Sequence, residues 1–316
     1  MTRKYGREDA QRAYRLCHDS IDSIERLVSK LNVECVFQRR ESVYLARSDS
    51  DASKLREEHR ARKAAGIEVD YWDEGEVSAR FSFSRPAALV SPQAAELDCH
   101  RLNHALLAQA VKSGARVFDR TSVTDYDAGA ERVRLRTDRG CIVSAGHVVF
   151  ATGYEAQEFL PKHVVRLKST YALASEPLEE FPGWWKRCLI WETARPYLYL
   201  RTTNDCRALV GGEDDSFRNP TRRDNLVGKR SDRLAGRFRE MFPAIELEVA
   251  YRWAGTFGET KDGLAYIGQV RQMPRCYFVL GFGGNGITYS LIASEIVRDA
   301  LIGSSNADAR LFRFDR

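Results

Sequence analysis

Apolar side chains near the start of the chain return at spacings of three and four: Tyr14, Cys17, Ile21, Ile24, Val28 and Leu31, with charged residues between them. That period puts one apolar stripe on a helix, so the chain opens on an amphipathic helix and not on a strand. The pattern then shortens to two β-type runs, Cys35-Val36-Phe37 and Val43-Tyr44-Leu45, which flank a polar stretch at 38–42 and predict a hairpin. A charged helix over about 51–65 is stopped by Gly66, and Ile67-Glu68-Val69-Asp70-Tyr71 alternates as a half-buried strand does. An irregular stretch through Pro86 and Pro92 leads to Glu96-Leu97-Asp98 and a helix over 101–112, closed by Gly114.

Beyond that helix the period switches to two. Ala115-Arg116-Val117-Phe118 reads as a strand, 132–137 and 141–144 as a hairpin about Asp138-Arg139-Gly140, and His147-Val148-Val149-Phe150-Ala151 as a buried strand ending at Thr152-Gly153. The stretch 164–252 is mostly strands, at 167–174, 188–191, 197–201, 207–210 and 246–251, interrupted by a helix at about 222–242. A last strand at 276–280 runs through Gly281-Phe282-Gly283-Gly284-Asn285-Gly286 into a helix over 287–301. This order is α/β in character, and 316 residues are enough for one large or two interleaved domains.

Composition narrows the class. Hydrophobic residues at 43% and charged residues at 29% are ordinary for a globular protein, and no apolar run reaches the roughly 20 residues that span a bilayer. With a polar start at 1–8 and no signal-like segment, no membrane anchor and a cytoplasmic location are expected. The net charge of +5 comes from basic and acidic residues interleaved along the chain, so no nucleic-acid partner is expected. Seven scattered cysteines without a C-x-x-C pair argue against a disulfide framework and a zinc site. His100 and His104 lie one helical turn apart but lack the glutamate of H-E-x-x-H and a third ligand in register, so no metal is expected.

The sharpest local motif is the glycine series at 281, 283 and 286, a G-x-G-x-x-G between a strand and a helix. A complete dinucleotide-binding βαβ needs a second strand with an acidic residue some 20 positions on, and only the short tail 303–316 follows. The remaining physical content is a backbone that a ligand can approach closely, aimed at by the positive end of a helix dipole. Thr152-Gly153 at a strand end is informative only in company. No G-x-S-x-G elbow or Walker loop supports hydrolase or nucleotide triphosphate chemistry. Tyr197, Tyr199 and Arg201 alternate onto one strand face, either a plain sheet surface or the wall of an apolar pocket with a cation for an acidic group.

Five stretches carry a family resemblance: 96–102 (ELDCHRL), 115–124 (ARVFDRTSVT), 147–154 (HVVFATGY), 253–268 (WAGTFGETKDGLAYIG) and 281–290 (GFGGNGITYS). In this order, over essentially the whole chain, they resemble the D-amino-acid oxidase and glycine oxidase family of flavoproteins, including DadA-like deaminating dehydrogenases. The resemblance implies FAD as cofactor and a small amine or amino-acid substrate, oxidised at a C–N bond by hydride transfer to the flavin. It implies an α/β fold with an α+β substrate part. A Rossmann-like FAD-binding domain over 1–33, 97–160 and 262–316 would be interleaved with an antiparallel-sheet substrate domain over 34–96 and 161–261.

By that resemblance Val123 lies near the adenine side, Thr152 and Gly153 near the dinucleotide, and Gly281, Gly283, Gly284, Asn285, Gly286, Ile287 and Thr288 beside the flavin ring. Tyr197, Tyr199, Arg201, Trp253 and Phe257 are the substrate-side candidates; no catalytic residue is assigned. Two departures from the family pattern shape the expectation. The family's opening strand and G-x-G-x-x-G are not found before the first helix, so the FAD-binding domain is expected to be incomplete. Glycine-oxidase-like members carry arginines that pair with the substrate carboxylate where this chain has Phe257 and Gly284, so a two-armed carboxylate clamp is not expected. The alternative expectation is a non-catalytic truncated fragment or the product of a misplaced start codon.

Overall fold

The computed structural model of the chain describes every residue except Arg218 and the side chain of Arg3. Its first part comprises α1 (Thr2–Tyr5), α2 (Arg7–Leu31), β1 (Gln38–Leu45), α3 (Asp49–Ala64), β2 (Asp70–Asp73), α4 (Glu74–Ser78), β3 (Ala87–Glu96) and α5 (Cys99–Lys112). The expected amphipathic helix is α2, ended by Asn32 in the left-handed conformation at φ 51, a geometry asparagine tolerates.

The hairpin expected over 35–45 is instead the single strand β1, paired antiparallel with β3. The polar stretch Gln38-Arg39-Arg40-Glu41-Ser42 holds no Gly, Pro or Asn to make a tight turn. Arg40 enters the strand on an ion pair with Glu96 at 2.7 Å. The irregular stretch expected around Pro92 is likewise strand β3. The register slips between Arg40↔Ala94 and Ser42↔Ser91, and this bulge accommodates a proline that cannot donate to the ladder.

Next come β4 (Val123–Ala128), β5 (Val133–Thr137), β6 (Ile142–Ala145), β7 (Val148–Phe150), a 3-10 turn at Gly153–Phe159, β8 (Arg166–Ser175), β9 (Leu189–Glu192), β10 (Leu198–Thr202) and β11 (Ala208–Asp215). Residues 115–118 form no strand: Val117 and Phe118 are 53% and 66% exposed, and no neighbouring strand pairs with them among the described residues. The chain closes with α6 (Pro220–Asn225), α7 (Val227–Met241), β12 (Val249–Glu259), β13 (Tyr266–Val270), β14 (Met273–Leu280), α8 (Gly286–Leu301) and α9 (Ala309–Phe312). The single helix expected at 222–242 is thus two. The first has Pro220 in its first turn and an Asn219 side chain that accepts the Arg222 N–H at 2.8 Å. Strand β12 also runs further than expected, through Trp253-Ala254-Gly255-Thr256-Phe257.

The chain divides into two compact units: Met1–Cys35, Asp98–Arg166 and Phe257–Arg316 make unit 1, and Val36–Leu97 with Leu167–Thr256 make unit 2. Unit 2 is built on an eight-stranded sheet in the order β12-β8-β11-β10-β9-β1-β3-β2. Within it β3 is antiparallel to β1 and β2, β10 to β9 and β11, and β11 to β8, while β1 and β9 are parallel. Val43, Leu45, Tyr171, Leu173, Ile190, Leu198, Leu200 and Val210 alternate onto one face. They join Leu234, Ala235, Phe238 and Met241 of α7, with Trp184 stacked on Phe242, in a single buried cluster. Each large side chain fully buried there contributes about 1.5–3 kcal/mol.

Polar residues of α7 also turn inward, onto buried carboxylates. Arg230 pairs with Glu213 at 3.0 Å and Asp215 at 2.6 Å, Arg233 with Glu213 at 3.5 Å, and Arg237 with Glu192. Tyr171 donates its hydroxyl to Asp215 at 3.0 Å.

Unit 1 holds two three-stranded sheets, β13-β14-β7 and β4-β5-β6. In the first, β14 is central, antiparallel to β13 and parallel to β7. Tyr289, Ile292, Ala293, Ile296 and Val297 of α8 cover it, packed with Ile267, Tyr277 and Val279, and Ala13 of α2 joins the same cluster. The α/β class expected from sequence, with its antiparallel-rich part, is the class observed. Among the described residues no helix is long and apolar enough to cross a membrane.

Candidate functional site

The glycine series forms the turn between β14 and α8. Gly281 has φ 77, and a Cβ there would lie 2.6 Å from Thr260 Cγ2 and 3.1 Å from Val165 Cγ1, so both backbone and space demand glycine. Gly283, at φ 55, donates its N–H to the Gly258 carbonyl at 3.0 Å, and Asn285 donates its N–H to Phe282 O at 2.9 Å. The turn is therefore held from both sides. Around the Cβ positions of Gly283, Gly284 and Gly286 no heavy atom comes within 4 Å, so the outer side of the turn is open.

Asn285 is the N-cap of α8 but its side chain makes no capping bond. The N–H groups of the first turn, at Gly286, Ile287 and Thr288, therefore have neither an intrahelical acceptor nor a side-chain cap. Sixteen helical residues stand behind them, and the summed peptide dipoles make this end attractive to negative charge. Ile287 is 42% exposed although apolar.

Phe150 of β7 lies beside Phe278 of β14 in parallel register, the two rings stacked 4.5 Å apart. The carboxyl ends of both strands consequently emerge at one end of the sheet, which brings Thr152 and Gly153 to the same end as the glycine turn. Crevices at such ends are where α/β sheets hold ligands. Thr152 and Gly153 are exposed, Gly153 with φ 62 and open space around its Cβ position. Val123 stands elsewhere in unit 1, at the start of β4, 38% exposed and paired with Thr137.

In unit 2, Tyr197 precedes β10, and Tyr199 and Arg201 follow on it at alternate positions. Two glycines of β11 seat the tyrosines. A Cβ on Gly211 would overlap the Tyr199 ring, and one on Gly212, at φ 135, would overlap the Tyr197 carbonyl. That carbonyl accepts the Glu213 N–H at 2.9 Å. Burial pushes both phenols above their ordinary pKa, with Arg195 pulling Tyr197 partly back, so both stay protonated donors at neutral pH.

Sequence reading missed two neighbours of this face. Trp191 is opposite Tyr199 across β9 and β10, and opposite Tyr44 across β9 and β1; Tyr44 and Trp191 stack with ring centroids 3.7 Å apart. Alternation within each strand was the available signal, but only the strand pairing joins them. Arg201 is not the free cation that spacing alone suggested. Its Nη1 lies 3.8 Å from Glu96 Oε2, while Arg40 holds Glu96 Oε1. One carboxylate shared by two guanidiniums leaves one positive charge beside the tyrosines.

Trp253 on β12 is 42% exposed in unit 2, and Phe257, half-buried on the same strand, belongs to unit 1. His100 and His104 have their Nε2 atoms 3.1 Å apart on exposed turns of α5. Among the described residues no group of three His, Cys, Asp or Glu side chains is arranged to hold a metal ion.

The model of the family described as FAD dependent oxidoreductase (DAO) matches residues 2–300. The chain belongs to this family. Among curated relatives, it is 23% identical to a probable oxidoreductase, OrdL, of Haemophilus influenzae, over 99% of this chain and 72% of that protein. It is 22% identical to the gamma-glutamylputrescine oxidoreductase of Escherichia coli, over 96% of this chain and 71% of that one. Among solved structures, glycine oxidase from Geobacillus kaustophilus superposes with a TM-score of 0.80 at 20% identity, covering 92% of this chain and 79% of that one. Iminodiacetate oxidase from Chelativorans sp. BNC1 follows at 0.78 and 17%, covering 93% and 81%. These similarities establish the family's fold for this chain.

Proposed function

We propose that the chain serves an FAD-dependent oxidation of a C–N bond in a small amine or amino acid. The observation that carries this reading is the glycine turn into α8: open on its outer side, uncapped, and at the same sheet end as Thr152 and Gly153. The residues fit a flavin. Gly283, Gly284 and Gly286 let a planar ring approach the backbone, Gly281 fixes the bend against Thr260 and Val165, and Asn285, Ile287 and Thr288 complete the turn that would hold the ring. Thr152, Gly153 and Val123 would meet the rest of the dinucleotide. When bound, FAD supplies the acceptor for the hydride that leaves the substrate carbon, and water hydrolyses the resulting imine.

The protein's part is positioning and electrostatics. The free N–H groups of α8 favour negative charge on whatever lies against them. Within unit 2, Tyr197, Tyr199 and Trp253 would offer aromatic contact to a substrate, the two phenols as neutral donors. The surplus charge at Arg201 suits an acidic group. Phe257 and Gly284 stand where related enzymes would place arginines, so we propose an amine, or an acid held otherwise than by a two-armed clamp. The names of relatives that act on glycine, iminodiacetate and gamma-glutamylputrescine support the substrate class.

Titration of the purified chain with FAD, followed by flavin fluorescence, tests the reading against Gly286→Asp. A carboxylate in the first turn of α8 favours the helix while repelling an anionic ligand, so FAD affinity should fall at least about tenfold with stability unchanged or raised. Undiminished FAD binding by the variant would overturn the assignment.

A further inference from the structure

We propose that Arg47, Arg85 and Arg237 form a site in unit 2 for a small tetrahedral oxyanion of the phosphate or sulfate class. Strand pairing gathers them. Ala46 donates its N–H to Ala87 O at 2.8 Å, which sets Arg47 and Arg85 on neighbouring chain ends where β1 closes and β3 begins. Leu45 is in register with Glu192, and the next residue, Thr193, donates its N–H to Leu45 O at 3.0 Å and accepts the Arg47 N–H on its hydroxyl at 3.1 Å. Arg237 reaches the same place from α7, bound to Glu192 and to Pro196 O at 3.3 Å. Its guanidinium feels the charge of both Arg47 and Arg85.

The charges do not balance. Glu192 and, at 3.8 Å, Glu213 answer Arg237, but Glu213 is shared with Arg230 and Arg233, and Arg230 also holds Asp215; Glu240 is the further carboxylate acting on Arg85 and Arg237. Neither Arg47 nor Arg85 has a carboxylate within ion-pair distance among the described residues. With Arg230 and Arg233 counted, five guanidiniums against the four carboxylates Glu192, Glu213, Asp215 and Glu240 leave one positive charge. Arg85 also keeps a buried Nε with no hydrogen-bond acceptor, while its Nη1 donates to Ser84 O at 2.8 Å and its guanidinium lies 5.2 Å from the Phe83 ring centre. Burial and then the charge of Arg47 push the Arg85 guanidinium below its ordinary pKa, a cost that a bound anion relieves. Planar guanidinium forks suit tetrahedral oxygens. The recessed Nε favours a small anion over an acidic protein segment.

The test is calorimetric titration of the whole chain with potassium phosphate against potassium chloride at matched ionic strength, with potassium sulfate as a parallel arm. Saturable binding of phosphate or sulfate beyond the chloride control is expected. It should weaken at least about tenfold in Arg85→Gln and several-fold in Arg47→Gln, whose exposed side chain makes misfolding a remote issue. Gly286→Asp should bind phosphate as the parent chain does. No saturable heat, or binding unchanged in Arg47→Gln, would refute the site. Loss of binding in Gly286→Asp with retention in Arg85→Gln would move the anion to α8 and equally refute it.

Discussion

The two units bury their apolar residues to different degrees. In unit 2 one cluster runs from Val43 to Leu247, and Tyr251 and Trp253 are its only large apolar side chains left exposed among the described residues. Unit 1 exposes Leu107, Val111, Val117, Phe118, Ile142, Val143 and Val149, together with Tyr154 and Ile287. Its sheet of β13, β14 and β7 is covered by α8, yet β7 has no strand on its outer edge among the described residues. Unit 2 thus carries its own stabilisation. Unit 1 retains apolar surface whose burial by a ligand or partner would add to its stability by mass action. The proposed flavin contacts fall in the less buried unit, where binding and folding are most closely linked.

The comparison breaks most readily in the unit 2 core. Phe238 is fully buried beside Trp184 and Phe242, so Phe238→Ala should cost about 3–5 kcal/mol in urea unfolding followed by tryptophan fluorescence. A loss below about 1 kcal/mol would mean that this cluster does not hold unit 2 together.

Unit 1 has a polar lock where its apolar cover is thin. Asp262 accepts two bonds from Arg316, at 3.1 and 3.2 Å, and further ones from Lys4 and Tyr5. Burial pushes its carboxyl up, but Arg316 and Tyr5 together hold it far below the ordinary value of 3.8. A depressed carboxyl pKa stabilises the fold fully above the unfolded value, and that contribution is lost as pH falls from there through the folded one. Asp262→Asn should therefore cost about 2–3 kcal/mol at pH 7, and the gap to the parent chain should narrow below about pH 4. Unfolding curves at neutral and acid pH check this; a gap independent of pH would show that charge is not what Asp262 contributes.

The amphipathic helix α2, the helix α8 and the glycine turn before it were legible because each is a local pattern with a local cause: a stripe, a period, a φ above zero. Strand β1 was not, since the pairing of Arg40 with Glu96 that draws its polar half into the sheet is set by β3, far along the chain. Strand β3 was hidden by Pro92, whose bulge is visible only once the partner register is known. The candidate site divides the same way. Tyr197, Tyr199 and Arg201 could be placed on one face from alternation alone. The stack of Tyr44 on Trp191, the seating of Tyr199 on Gly211, and the sharing of Glu96 between Arg201 and Arg40 all required knowing which strands are neighbours.

The smallest expected effect is the sharpest check on unit 1. Phe118 is 66% exposed in a segment that the apolar pattern marked as a strand but that pairs with none among the described residues. A side chain that makes so little contact has little stability to lose, so Phe118→Ser should shift the unfolding free energy by no more than about 0.5 kcal/mol. Hydrogen exchange at 115–118 should be fast in both chains, because exposed, unpaired backbone opens at almost no cost. A loss above about 1.5 kcal/mol, or slow exchange in the parent chain alone, would mean that Phe118 is covered in solution. The open surface of unit 1 would then be an occupied one, and the contrast with unit 2 would reduce to a difference in what covers each core.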